Sequence, residues 1–256
     1  MKKRIFLVVM LIMITTFLAG CTEFNEPIYE DSEGFWNEFI VWPLVSFITY
    51  FKNLLGTYGL GIVIVTIIIR LVILPLMIKQ TKNSKKMQEI QPELKALQQK
   101  YASKDAVTQQ KYQQEMMALF KDRGVNPAAG CLPIFIQMPI LIGFYHAISR
   151  MNNTPEINLG DFIGFTLAEP SIILAVLTGV MQLIVLRTGP AMDNPQMKIM
   201  MYIMPFMIMG FGMVVPSALT LYWVIGNIIS IIQNLFIYKP WNKPKTIPVK
   251  AGGAKK

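Results

Sequence analysis

Five apolar stretches, separated by polar or charged links, constrain this chain more than any other feature. They cover residues 60–78, 128–148, 171–186, 199–215 and 218–237. Each is roughly 16–21 residues long, enough for a helix to cross ~30 Å of hydrocarbon. In that medium the backbone must satisfy its own hydrogen bonds, and a single segment does so only as a helix. Composition agrees. Of 256 residues, 53% are hydrophobic and 15% charged, with a mean hydropathy of +0.45, whereas soluble domains are about 25% charged. The expected fold is therefore an all-α polytopic membrane protein with five transmembrane helices; the charge deficit excludes a disordered chain and argues strongly against an ordinary soluble enzyme.

The N-terminus reads as a processing signal. Lys2, Lys3 and Arg4 precede an apolar run over 5–18 and then Leu18-Ala19-Gly20-Cys21, the order of an export signal. The last four residues resemble the bacterial lipoprotein box. That resemblance implies removal of 1–20 and a diacylglycerol on the Cys21 sulfur, a firm anchor at ~0.8 kcal/mol per buried CH₂. With residue 21 outside the cell, residues 79–123, 187–198 and the tail from Lys239 face the cytoplasm and carry ten, two and six Lys or Arg. The exterior carries Lys52 and Arg150 against nine acids. This positive-inside bias agrees with the signal independently. The surplus of basic residues, +9 overall, thus follows topology first and an acidic partner second; a soluble nucleic-acid-binding face is not indicated.

The links have their own character. Residues 21–56 form an extracellular segment, acidic over 23–38. Within it Trp36, Ile40, Leu44, Phe47, Phe51 and Leu55 recur at helical spacing, with Pro43 a candidate kink. Such an amphipathic helix suits the outer membrane interface or packing on neighbouring protein. Residues 57–238 form the core. Inside it, 84–123 reads as a cytoplasmic antiparallel helical hairpin: stripes Met87, Ile90, Leu94, Leu97, Tyr101 and Tyr112, Met116, Leu119, Phe120, with Asp105 as N-cap and Gly124 as C-cap. The tail 239–256, with three prolines and six lysines, is expected to be disordered.

Arg70 stands near the middle of the first apolar stretch, where a guanidinium costs roughly 2.5–3.5 kcal/mol on the insertion scale. The other four stretches contain no Asp or Glu, and Arg does not lose its proton in proteins. It therefore needs water, lipid phosphate, carbonyls or neutral side chains, and a hydrated intramembrane groove supplies them. Candidate lining groups are Thr66, one turn away, Gln137, Thr178 and Gln182, and a stripe on the last stretch: Thr220, Trp223, Asn227, Ser230 and Asn234. Interhelical hydrogen bonding is the plain alternative for each of these. The lack of intramembrane acids argues against an ion-coupled carrier. No nucleophile–base pair, phosphate loop or metal-ligand cluster is evident, so no catalytic residue, metal or cofactor is expected beyond the lipid on Cys21. His146 reads as an interface residue and Cys131 as membrane core. Seven methionines, from Met197 to Met213, gather in the fourth stretch, as adaptable contacts or lipid-facing filler.

Several strings resemble the YidC family of membrane-protein insertases, in its five-span Gram-positive lipoprotein (SpoIIIJ-like) form. They are Tyr58-Gly59-Leu60 leading to Thr66, Arg70 through Leu76, Asn126-Pro127 leading to Cys131-Leu132-Pro133, Gln137-Met138-Pro139, Met204-Pro205, Pro216-Ser217 and Leu221-Tyr222-Trp223. The resemblance implies insertion and folding assistance for nascent membrane proteins, alone or with the Sec translocon, beside the ribosome and in contact with membrane lipids. It involves no metal and no specific nucleic-acid sequence. The expected place is the bacterial cell membrane, with the C-terminus cytoplasmic. The implied groove residues are Arg70, Thr66, Gln137, Gln182, Trp223 and Asn227. The implied substrate slide uses Met138, Pro139, Leu141, Ile208 and Phe211. A small-solute channel and a holding chaperone for assembled helices are the rival readings.

Overall fold

The computed structural model describes residues 24–103, 105–126, 132–189 and 195–238. Cys21 with the signal segment, Cys131 and the basic tail lie outside them. The described chain is mostly helical. A π-helical turn, Asn37–Val41, runs directly into α1 (Trp42–Leu55); α2 (Tyr58–Glu89), α3 (Gln91–Lys100), α4 (Ala106–Asp122) and α5 (Leu132–Asn153) follow. A two-residue-per-strand hairpin, β1 (Asp161–Phe162) and β2 (Phe165–Thr166), precedes α6 (Ile172–Thr188), α7 (Pro195–Gly212) and α8 (Ser217–Tyr238). Helix α2 packs between α1 and α8, and α6 between α8 and α7. Among the described residues, α2 and α8 are long and apolar enough to cross a membrane, while α6 and the Met201–Gly212 part of α7 are shorter apolar helices. Large apolar side chains remain on the exterior of α2, α6, α7 and α8, among them Val72, Ile173, Phe206 and Phe236, more than water tolerates on a monomer.

Local sequence explains where the elements begin and break. Thr57 caps α2, its hydroxyl accepting from the Leu60 N–H at 3.3 Å. The helix does not stop where the apolar stretch ends at Ile78. Residues 79–89 hold helix-forming Lys, Gln and Glu and no proline or glycine, so α2, with Pro75 inside it, continues to 32 residues, about 48 Å at the usual rise. The first helix of the 84–123 segment accordingly starts only at Gln91, with Pro92 in its first turn, where its missing N–H is tolerated. Pro43 likewise stands in the first turn of α1 rather than at a kink, preceded by the π turn in which the Trp42 N–H reaches back to the Asn37 carbonyl. The buried face of this segment is Val41, Val45 and Ile48. The expected stripe lies beside it, and its Phe47 and Leu55 are exposed.

Helices α3 and α4 lie antiparallel, tied by Arg123–Glu93 at 2.8 Å and Lys100–Glu115 at 3.1 Å. Asp105 accepts from the Thr108 N–H at 2.8 Å, and Gly124 leaves α4 at a positive φ of 60°. The Ser103 hydroxyl and Thr108 N–H hold Asp105 well below the usual carboxylate range. Glu115 is held below its ordinary value by the Tyr101 hydroxyl first and Lys100 second. Depressed folded-state values add stability above the unfolded pKa and lose it as pH falls through the folded values. Spin labels at positions 98 and 113 should therefore give a narrow distance distribution at pH 6 that broadens only below about pH 4, on the way down to the folded values. Glu115→Ala with Asp105→Ala, which removes both the acceptor and the cap, should be broad at both.

The main buried cluster lies at the opposite end from this pair, built on Ile28, Val41, Ile48, Ile62, Phe144, Ile148, Met151, Leu219 and Tyr222. Loop and hairpin close it. Phe162 fills the space beside Gly59, where any side chain would overlap its ring. The Ser217 N–H and hydroxyl donate to the Glu169 carbonyl at 2.8 and 2.6 Å, and the Ala218 N–H to that of Leu167 at 3.1 Å.

Candidate functional site: a guanidinium held between helices

Arg70 is half-buried between α2 and α8. Its guanidinium lies so close over Gly226 that a Cβ there would stand 2.5 Å from Nη2. Its charge also acts on the Tyr222 hydroxyl, one helical turn before Gly226 and on the same face of α8. That hydroxyl accepts a hydrogen bond from Gln137 Nε2 of α5 at 2.5 Å. The Tyr222 ring is fixed by stacking on Phe144, with centroids 4.3 Å apart. Three helices thus meet at one phenol, which offers the cation a neutral oxygen instead of a carboxylate.

The candidate residues divide among several places. Gln137 joins Arg70 through Tyr222. Thr66 is fully buried, and its hydroxyl donates to the Ile62 carbonyl at 2.7 Å. Asn227 turns toward α6, its Nδ2 reaching the Thr178 carbonyl at 3.4 Å. Asn234 donates to the Val185 carbonyl of the same helix at 3.2 Å, and Thr178 approaches the Thr220 carbonyl at 3.5 Å. The polar stripe on α8 therefore ties it to α6, while the neighbouring face, Tyr222 and Gly226, meets Arg70. Gln182 is half-buried one turn beyond Thr178. Trp223 is half-buried with its ring 5.8 Å from that of Phe211.

Of the slide residues, Met138 and Phe211 are exposed, and Leu141 and Ile208 half-buried. Pro139 lines an apolar cleft of about 330 Å³ with Phe39, Leu44, Val65 and Ile69. His146 is buried among the rings of Phe24, Trp36 and Tyr145. No cluster of three or more His, Cys, Asp or Glu fit to hold a metal occurs among the described residues. Sequence reasoning passed over Tyr222 and Gly226 as site residues. The signal that finds them is the glycine four residues after a tyrosine inside an apolar helix, a spacing that leaves a flat step for a long side chain from α2.

Known proteins place this arrangement. The model of the family described as 60Kd inner membrane protein matches residues 50–245. The chain is 51% identical over 262 aligned positions to the membrane protein insertase MisCA of Bacillus subtilis, covering 100% of this chain and 99% of the relative. It is also 51% identical to the membrane protein insertase YidC 2 of Bacillus anthracis, with 100% of both chains covered. Among solved structures, an active YidC insertase with its first transmembrane domain resolved aligns with a TM-score of 0.61 at 26% identity, over 78% of this chain and 46% of that one. The present chain thus spans about half the length of that solved protein. Its relatives in sequence are membrane protein insertases, a family of membrane proteins that are not enzymes. The chain belongs to the 60Kd inner membrane protein family, in its YidC-type Gram-positive form.

Proposed function

We propose that this protein inserts and helps fold nascent membrane proteins, using Arg70 at the base of a hydrated groove open to the cytoplasm. The observation that carries the proposal is the placement of Arg70: a permanent cation in mid-helix, set among the described residues against the neutral Gly226 and Tyr222. In this reading α2, α5, α6, α7 and α8 cross the bilayer and the α3–α4 pair lies in the cytoplasm. The closed end, with the β1–β2 hairpin, faces outward. Cys21 carries the lipid anchor, and α1 lies near the outer interface.

A nascent hydrophobic helix arrives from the ribosome, alone or beside the Sec translocon. Its short polar outer segment enters the groove, and Arg70 attracts it when that segment is acidic. Water at half depth reduces the thickness of hydrocarbon that the polar groups must cross. The apolar helix then slides past Met138 and Leu141 on one side and Ile208 and Phe211 on the other, driven into lipid by burial of apolar area. Asn227 holds α8 to α6 beside this path, and Thr66, Gln182 and Trp223 support its walls.

Accessibility tests the reading. In a Cys131→Ser background, single cysteines at 137, 230 and 233 should react with a membrane-impermeant maleimide applied from the cytosolic side and not from the outside. Absence of cytosolic labelling in folded, insertion-active protein overturns the groove.

A further inference from the structure

A second polar site lies one to two turns beyond the apolar stretch of α2. A cavity of about 470 Å³ is lined there by Leu76, Lys79, Gln80, Lys82, Lys86 and Asn126. Three lysines are among its lining residues and no carboxylate is. Gln80 is 4% exposed, yet neither its Nε2 nor its Oε1 has a hydrogen-bond partner. A buried amide with both ends open is rare in a folded protein and points to a missing group. The group that fits supplies several acceptor oxygens to the lysines and Nε2, and a hydroxyl to Oε1. Phosphate chemistry has that form. Toward the apolar stretch, Val72 and Leu76 continue the Gln80 face of α2 at intervals of four, 72% and 43% exposed, so an apolar track leads straight to the cavity. Basic pockets at the cytoplasmic margin of membrane helices bind anionic head groups.

We propose that this cavity holds the phosphate head group of an anionic phospholipid, its acyl chains lying along Leu76 and Val72. Lys79, Lys82 and Lys86 neutralise the phosphate, and Gln80 hydrogen-bonds the head group. The inference rests on the membrane placement of α2 proposed above, but not on insertase activity or Arg70.

The test uses the full-length mature lipoprotein in nanodiscs of phosphatidylcholine containing trace spin-labelled phosphatidylglycerol or spin-labelled phosphatidylcholine. Wild type is expected to immobilise the anionic probe in preference to the neutral one. That preference should fall about fivefold for each lysine changed to Gln and should also fall in Gln80→Leu. Lys95, Lys111 and Lys121 changed to Gln, an equal loss of charge elsewhere, should leave it intact. Helical circular dichroism shows which variants fold. Equal immobilisation of both probes by wild type, or an undiminished preference in folded Gln80→Leu and triple-lysine variants, overturns the site. Abolition of the preference by millimolar inorganic phosphate assigns the cavity to free phosphate and overturns the lipid. An RNA oligonucleotide whose binding depends on these residues while lipid preference does not overturns it in favour of RNA. No immobilised lipid of either kind indicates that the membrane placement of α2 itself has failed.

Discussion

Arg70→Ala is expected to yield a protein at least as stable as wild type and much poorer at insertion. The proposed groove already hydrates the guanidinium, so its removal relieves only part of the roughly 2.5–3.5 kcal/mol insertion cost, and an unfolding midpoint no lower than that of wild type separates lost insertion from misfolding. In reconstituted vesicles, insertion of single-span substrates with short acidic outer segments should drop roughly tenfold to a hundredfold. That corresponds to losing about 1.4–2.8 kcal/mol of attraction. Arg70→Lys should recover part of it if positive charge alone matters. It should recover little if the planar fork against Tyr222 is needed. Gly226→Val should resemble Arg70→Ala, because a Cβ at 226 would occupy space 2.5 Å from Nη2 and push the guanidinium aside. Undiminished insertion of every substrate by Arg70→Ala would remove this residue from the mechanism.

The largest stability effect is expected at a second arginine. Arg150 is 2% exposed, near the end of α5. Its Nε donates to the Glu26 carbonyl at 3.1 Å and its Nη2 to that of Pro27 at 2.8 Å; Nη1 donates to Asn37 Oδ1. The same strap is pinned by the Ile28 N–H to Thr154 Oγ1 at 3.0 Å, and Ile28 fills the buried cluster at 1% exposure. Arg150→Met keeps much of the apolar stem but leaves these acceptors without their charged donor. The expected loss is about 3–5 kcal/mol. It should appear as a lower unfolding midpoint in detergent and as early proteolysis near residue 30. Insertion by the molecules that remain folded should change little, since the latch lies at the closed end. A midpoint unchanged from wild type would show that the strap is held by Ile28 alone.

The two arginines show how unevenly the sequence reveals its structure. Arg70 stands out in any reading, because one charge in an apolar stretch conflicts with everything around it. Arg150 looks like an ordinary charge beyond the end of a helix, since the carbonyls it grips lie more than 120 residues away. Helix α2 outruns its apolar stretch for a local reason: hydropathy changes at Ile78, but the next proline comes only at Pro92. The buried face of α1 lies one residue along from the expected stripe, on both sides of the π turn, a rotation of about 100° that packing against α2 and α5 sets.

Hydrophobicity and backbone propensity are local, so the chain alone determines where its apolar helices lie and that a cation interrupts one of them. It also supplies the turn chemistry at Asp105 and Gly124. Rotation of each helix about its axis is not local. Consecutive residues on a helix are separated by about 100°, and one that is apolar nearly all round carries no pattern to choose among its faces. Packing made that choice, setting Tyr222 and Gly226 against Arg70 and turning Asn227 toward α6.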